Sequence, residues 1–135
     1  MLANAETRWA VLQAVDILLD HIANGRHRES LACFTGDPDA ALLGSEASES
    51  AIGPEALRAF FATLYAQPYR VLFKLPDRRI SAIGNVVWFS GEGTYRLSTG
   101  DEEKPYRLTG VLERRGDRWL WQLFSGSEPV KADGV

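Results

Sequence analysis

Residues 105–129 read PYRLTGVLERRGDRWLWQLFSGSEP, and this stretch decides the fold. Two runs rich in Val, Leu, Thr, Trp and Phe flank the tetrapeptide Arg115-Gly116-Asp117-Arg118. Glycine supplies the positive φ that tight hairpin turns need. The stretch therefore predicts a β-hairpin near the end of the chain.

The register of this hairpin depends on the length of its turn. A three-residue loop would set Arg107 opposite Ser125, whereas a two-residue turn would set it opposite Gly126. We favour the three-residue loop, because it turns both Trp121 and Leu123 toward the helices.

The chain before the hairpin is predicted to be extended as far back as Tyr69. Runs typical of strands cover Tyr69–Leu75, Arg79–Ile83 and Val86–Leu97, and polar or Gly-containing turns separate them. Large apolar residues occur on both faces of 119–124, so we expect both faces of the sheet to be covered.

The first half of the chain is predicted to be mainly helical. Residues 5–24 carry apolar side chains at spacings of three and four, and a short second helix follows at about 27–34. Pro54 suits the first turn of a third helix, which ends at Gln67-Pro68. Two short strands are expected between 35 and 53. Helices first and long strands afterwards indicate an α+β domain with the helices on one face of the sheet.

Composition limits the functional classes. The 135 residues fit one domain, with an ordered core of about 5–129, and the formal net charge of -3 comes without any basic stripe, which disfavours nucleic acid as a partner. No apolar run approaches the length of a membrane span, and the first residues do not resemble a signal peptide. The sequence predicts a cytoplasmic protein that does not bind a membrane.

Metal and cofactor sites are not expected. Cys33 is the single cysteine and fits a small buried hydrophobic residue, while His21 and His27 have no third ligand at metal spacing. We predict neither a metal nor a cofactor.

The order of these elements resembles the nuclear transport factor 2-like superfamily, and specifically its SnoaL-like bacterial proteins. The resemblance rests on Gly44-Ser45-Glu46 with Glu49, on Gly53-Pro54-Glu55-Ala56-Leu57-Arg58, and on the motifs of the hairpin. Those motifs are Leu108 to Arg115, Trp119-Leu120-Trp121 and Gly126-Ser127-Glu128-Pro129. The likeness covers nearly the whole chain as a single SnoaL-like domain.

The resemblance implies a strongly bent, mixed or antiparallel sheet wrapped around three helices into a cone that contains a pocket. It also implies a homodimer through the outer face of the sheet. The family includes steroid isomerases and polyketide cyclases as well as binding domains without chemistry. Relatives often carry His in the last strand where this chain has Phe124-Ser125-Gly126. No acid pair here matches the isomerases position for position, so we expect no efficient acid-base catalysis.

The candidates for lining a pocket are large or polar side chains on the predicted helices and strands. Indole and phenol rings commonly line apolar pockets, and Arg107 is able to meet a carboxylate at the far end of a ligand. The candidates are Trp9, Phe61, Tyr65, Trp88, Ser90, Arg107, Thr109, Trp121, Leu123 and Ser125. Ser45, Glu46 and Glu49 are candidates for the rim of the cone.

Glu92 is the candidate general base, because its strand is otherwise apolar or small and a buried carboxyl has a raised pKa. The competing interpretations are a solvated strand end for Glu92 and a cross-strand ion pair for Arg107.

Three functions remain open at this point. The first is a domain that binds a small, largely apolar molecule. The second is an isomerase, cyclase or dehydratase that uses Glu92 as base, and the third is a dimeric interaction module.

Overall fold

The computed structural model describes residues 1–130. Residues 131–135, on which most of the predicted C-terminal fraying falls, lie outside the described part. The helices are α1 (Ala5–Ala23), α2 (His27–Ala32) and α3 (Pro54–Tyr65). The strands are β1 (Ala41–Leu43), β2 (Ser50–Ile52), β3 (Val71–Ile83), β4 (Val86–Leu97), β5 (Lys104–Arg115) and β6 (Arg118–Ser127).

Local signals in the sequence set the ends of the two longer helices. The side chain of Asn4 caps α1 by accepting a hydrogen bond from the backbone N–H of Thr7 at 2.8 Å. Gly25, with φ of 64°, follows the end of α1. Gly53 precedes α3 with φ of 90°, and Pro54 occupies its first turn. Both predicted helices are confirmed within a few residues.

The six strands form one open, mixed sheet in the order β2-β1-β6-β5-β4-β3. Strand β1 runs parallel to β6, and every other neighbouring pair is antiparallel. Helix α1 packs against β3 and β6, while α3 contacts α2 and β2. The helices share one core with one face of the sheet, which confirms the predicted α+β cone. None of the helices in residues 1–130 has the length and apolarity to cross a bilayer.

The two predicted strands 69–75 and 79–83 are one continuous strand, β3. Pro76 lies within it, at an irregularity in the pairing with β4 between Lys74 and Asp77. A proline cannot donate a ladder hydrogen bond, but β3 is the edge strand of the sheet and the irregularity removes that requirement. The sequence prediction left residues 76–78 outside its two runs, and the structure includes them in one strand.

The turn of the β5–β6 hairpin has two residues, so the predicted three-residue loop is wrong. Arg115 pairs with Arg118 across the turn, and Gly116 has φ of 65°. A bulge then shifts the register, because Leu112 pairs with Trp121 and the preceding Val111 pairs with Leu123.

The extra residue in the bulge is Gln122. It puts Trp121 on the inner face and Leu123 on the outer face, where the sequence had placed them together. The same shift brings Phe124 to the inner face, opposite Gly110.

The core fills the space between the helices and the inner face. Trp121 is fully buried in it and packs against Phe89 and Phe124, with ring centroids 6.4 Å and 5.3 Å away. Gly110 gives this indole its space, because a Cβ at that position would overlap the six-membered ring of Trp121. Other fully buried core residues are Val11, Val15, Leu18, Leu57, Phe61, Val87, Leu108 and Leu112.

Candidate functional site

A cavity of about 410 Å³ opens between the helices and the wide end of the sheet. Its inner wall is apolar and largely aromatic, while its mouth is polar. The wall residues include Ile22, Leu42, Phe60, Phe61, Leu64, Tyr69, Val71, Phe73, Tyr95, Tyr106 and Phe124. The mouth includes Ser45, Glu46, Glu49, Arg96, Glu102, Lys104 and Glu128.

Three aromatic side chains from neighbouring strands form the wall on the sheet side. The ring of Tyr106 lies 4.9 Å from that of Phe73 and 5.4 Å from that of Tyr95, centroid to centroid. Their strands β3, β4 and β5 are adjacent, and these positions lie on the inner face. Contact among the rings fixes their orientation and leaves an apolar surface toward the cavity.

Glu128 joins the sheet to the loop between β1 and β2 at the mouth. Its Oε1 accepts a hydrogen bond of 2.8 Å from the hydroxyl of Tyr95, and its Oε2 accepts one of 2.7 Å from the hydroxyl of Ser45. Across the loop, Glu49 Oε1 accepts a hydrogen bond of 3.0 Å from the backbone N–H of Glu46. Both carboxylates are thus held beside the cavity.

Burial and nearby carboxylates both raise the pKa of the two tyrosines beside the cavity. Burial raises the pKa of Tyr95 to about 12, and the hydrogen bond to Glu128 together with the charges of Glu128, Glu46 and Glu49 contributes in the same direction. Burial is also the main cause that raises the pKa of Tyr106 far above its usual range, followed by the charges of Glu49 and Glu128. Both phenols are hydrogen-bond donors at neutral pH.

The hydroxyl of Tyr106 touches Gly126 of β6. A Cβ at Gly126 would overlap this hydroxyl, so glycine is what lets the phenol reach across β6. Gly126 pairs with Leu108 in the sheet and is itself buried. The glycine therefore makes room for the phenol of Tyr106, a residue that lines the cavity.

Four of the predicted pocket residues lie on the helices or on the inner face of the sheet. Phe61 lines the cavity, and Tyr65 stacks on it at 5.6 Å while its hydroxyl is bonded to Ser30 Oγ at 2.7 Å. Trp121 is in the core and is not part of the cavity wall. Trp9 is 66% exposed on α1 and does not line the cavity.

The other six predicted pocket residues are brought together on the outer face of the sheet, which corrects their assignment to the cone. Cross-strand pairing puts Leu123, Val111 and Trp88 in one row, and Ser125, Thr109 and Ser90 in the next. Arg107 lies one row further. The physical reason is that the helices cover the even positions of β5, so its odd positions point outward, and the Gln122 bulge puts Leu123 and Ser125 on the same side.

Glu92 also lies on this outer face, paired with Arg107 at 2.6 Å between Oε1 and Nε. Its side chain is 52% exposed, so it has neither the burial nor the location of a base in the cone. The competing interpretation of Arg107, a cross-strand ion pair, is what the structure shows at this position. With Asp77, Arg79 and Ser90, the pair surrounds a polar depression of about 280 Å³.

The cavity residues that sequence reasoning missed include Tyr95, Tyr106, Phe124 and Glu128. The even positions of β5 from 106 to 112 are Tyr106, Leu108, Gly110 and Leu112. Large apolar residues with one glycine among them indicate that this side of the strand faces a tightly packed core. Glu128 carried no pattern, because its contact with Ser45 joins residues 83 positions apart. Ser45, Glu46 and Glu49 are among the residues that line the cavity.

No group of three His, Cys, Asp or Glu side chains in residues 1–130 is arranged to hold a metal ion. Cys33 is buried, and burial raises the pKa of its thiol to about 11. The described chain offers polar contacts from tyrosine, serine and carboxylate groups.

Comparison with known proteins now identifies the class. The sequence profile of the SnoaL-like domain matches residues 11–130, so the chain belongs to the SnoaL-like family within the nuclear transport factor 2-like superfamily. A comparison with curated proteins gave no match.

Solved structures share the fold at low sequence identity. An NTF2-like protein of unknown function from Pseudomonas putida KT2440 is 13% identical, with a TM-score of 0.82 over 96% of this chain and 92% of that one. A candidate dehydratase of the NTF2-like family from Streptomyces avermitilis is 15% identical, with a TM-score of 0.82 over 95% of this chain and 100% of that one. A cystatin-like protein of unknown function from Nostoc punctiforme is 14% identical, with a TM-score of 0.78 over the whole of both chains. At these identities the likeness concerns the fold alone.

Proposed function

We propose that this protein binds a small, largely apolar molecule in the cavity of its cone. The observation that carries the proposal is a cavity of about 410 Å³ with an aromatic wall and a polar mouth. Ligand sites in proteins typically have volumes of about 300–1,000 Å³, apolar walls and a few well-placed polar groups. This cavity has each of those properties.

The polar groups are suited to orienting such a ligand. The Tyr95–Glu128–Ser45 chain of hydrogen bonds is held at one side of the mouth, and the Tyr106 hydroxyl lies deeper. A ligand that buries its apolar part among Phe61, Phe73 and Phe124 would present its polar end to these groups.

An enzyme of the dehydratase, cyclase or isomerase kind is the second candidate. The hydrogen-bonded pair of Tyr95 and Glu128 at the cavity favours it, because a phenol and a carboxylate can hold and move a proton. The fold is also that of a candidate dehydratase from Streptomyces avermitilis. In this alternative Glu128 takes the role that the sequence had assigned to Glu92.

Binding in the cavity is tested by filling it. Val71 lines the wall, so Val71→Trp should abolish the binding of 2-naphthylmethanol, measured by chemical-shift changes at Phe61 and Tyr106. Val130→Trp is the matched control, because Val130 is 90% exposed and outside the wall. Denaturation curves of both variants show whether the fold is kept. Unchanged binding in Val71→Trp would contradict the proposal.

We also propose a homodimer through the outer face of the sheet. Cross-strand pairing aligns Ile52, Ala41, Leu123, Val111 and Trp88 in one apolar row across five strands. Ile52 and Trp88 are 61% and 44% exposed in the single chain. Association of two chains through this face would bury their apolar side chains.

Sedimentation velocity tests the homodimer. The wild type should sediment at twice the 15.0 kDa of one chain, and Trp88→Glu should shift it toward the monomer. Ile17→Glu is the control, because Ile17 is 49% exposed on α1, away from the sheet. A mass of one chain at all concentrations would overturn the dimer.

A further inference from the structure

The cavity contains one buried polar group that has no partner in the described chain. Tyr106 is 8% exposed and lines the cavity, and its hydroxyl forms no hydrogen bond with residues 1–130. Trp121 Nε1 is the one side-chain atom of these residues that is both unpartnered and fully enclosed. The Tyr106 hydroxyl is therefore not fully enclosed, and its residue lines the cavity.

The charges that act on this part of the cavity are negative. Glu49 and Glu128 both raise the pKa of Tyr106, and Glu46 joins them in raising the pKa of Tyr95. Within residues 1–130, none of these three carboxylates forms an ion pair with a basic side chain. Glu46 and Glu128 are exposed and Glu49 is half-buried, and carboxylates without a bonded countercharge attract a cation, most strongly at low ionic strength.

Two basic residues also line the cavity, next to Tyr95: Arg96 follows it in β4, and Lys104 pairs with it from β5. Arg96 donates a hydrogen bond to the carbonyl of Gly100 at 3.3 Å, within the turn between β4 and β5. Lys104 begins β5 and is exposed. Within residues 1–130, neither forms an ion pair with Glu46, Glu49 or Glu128.

We infer that the ligand of this cavity is an organic cation, namely an amine with an aromatic or other apolar body. Its protonated nitrogen would donate hydrogen bonds to the Tyr106 hydroxyl and to the carboxylates of Glu128 and Glu49. Its body would pack among the aromatic rings of the wall, whose faces also attract a cation. This inference rests on the proposed binding function and specifies the chemical class of its ligand.

The same arrangement disfavours an anionic ligand or intermediate. An enolate or carboxylate next to Tyr106 would lie beside two like charges, which destabilise it. Chemistry that creates an oxyanion at this position would therefore be slow. The negative charges of Glu49 and Glu128 attract a protonated amine and repel an enolate.

Three probes with one ring system and different head groups test the inference. Calorimetry at low ionic strength compares 2-naphthylmethylamine, which is a cation, with neutral 2-naphthylmethanol and anionic 2-naphthoate. Because hydrogen bonds to charged groups are the stronger kind, the amine should bind about tenfold or more tightly than the alcohol, and the naphthoate most weakly. The advantage of the amine should shrink with added salt.

Variants that remove a carboxylate charge test whether the mouth causes the preference for the amine. Glu128→Gln and Glu49→Gln should each lower the affinity for the amine more than the affinity for the alcohol, because the negative charge is lost while the amide keeps an oxygen that accepts hydrogen bonds. Glu55→Gln is the control, because Glu55 lies in the first turn of α3 and does not line the cavity.

The outcomes separate the two proposals. Equal affinities for amine and alcohol, or tighter binding of the naphthoate, would overturn the cation inference and leave the binding function standing. An amine advantage that survives both glutamine variants would overturn it as well. If none of the three probes binds, both proposals fail.

Discussion

The two faces of one sheet contain indole rings in opposite surroundings. Leu112 of β5 pairs with Trp121, which is fully buried, while the adjacent Val111 pairs with Trp88, which is 44% exposed. Successive residues of a strand point to opposite faces, so one step along β5 separates the core from the outer surface. Two equally apolar rings thus acquire different roles, and the helices that cover only one face make the difference.

The largest expected effect is the loss of the inner indole. Trp121→Ala should lower the free energy of unfolding by about 3–5 kcal/mol, because it leaves a cavity in a packed core. Trp88→Ala is the matched variant, and removal of a half-exposed ring should cost less than about 1 kcal/mol in dilute monomeric protein. Chemical denaturation measures both. Similar losses for the two variants would remove the contrast between the faces.

A methyl group on the inner face should have the next largest effect. Gly126→Ala puts a Cβ where the Tyr106 hydroxyl lies, and overpacking of this kind costs roughly 1–3 kcal/mol. The displaced phenol should also weaken binding of 2-naphthylmethanol. Gly100→Ala is the control, because a Cβ at Gly100 meets no atom within 4 Å. Equal stability of the two variants would show that the Tyr106 side chain moves aside at little energetic cost.

A charged network beside the hairpin turn should give a smaller, pH-dependent effect. Hydrogen bonds from Arg115 and Gln122 hold the pKa of Asp37 at about 2, below its ordinary value of 3.8. A lowered pKa in the folded state stabilises the protein above pH 3.8, and this contribution disappears as the pH falls toward 2.

The variant Asp37→Asn tests this network. It should lower the denaturation midpoint at pH 7 and flatten the acid limb of the stability profile. A wild-type profile with the same acid limb as the variant would contradict the lowered pKa.

The smallest effect is expected at the outer ion pair. Glu92→Gln should change stability by about 0–1 kcal/mol, because an exposed ion pair contributes little. It should also leave probe binding unchanged, in contrast to Glu128→Gln at the cavity. A large loss of probe binding, or of turnover on enolisable ketones, would indicate that the functional site lies on the outer face of the sheet.

Patterns within a few neighbouring residues were sufficient to predict much of the fold. The spacing in α1, the Pro54 start of α3 and the Gly116 turn are local features, and the elements they predict are present. The break expected between residues 75 and 79 was wrong, and Pro76 is tolerated there because its strand lies at an edge.

The candidate site was much less predictable than the fold. Of the ten predicted pocket residues, Phe61 alone lines the cavity, and six of the others share the outer face. A single extra residue, Gln122, reverses which side chains of β6 face inward. Periodicity defines the two faces of a strand, but it does not tell which of them the helices cover.

The sequence by itself determined the helices, the long strands, the hairpin and the SnoaL-like family, because each depends on the order of neighbouring residues. Tertiary structure alone decided that Tyr95, Tyr106 and Glu128 meet Ser45 and Glu49 at one cavity. These residues come from three parts of the chain, and nothing local in the sequence links them. Their meeting follows from strand register and from the pairing of β1 with β6, which are set by the packing of the whole core.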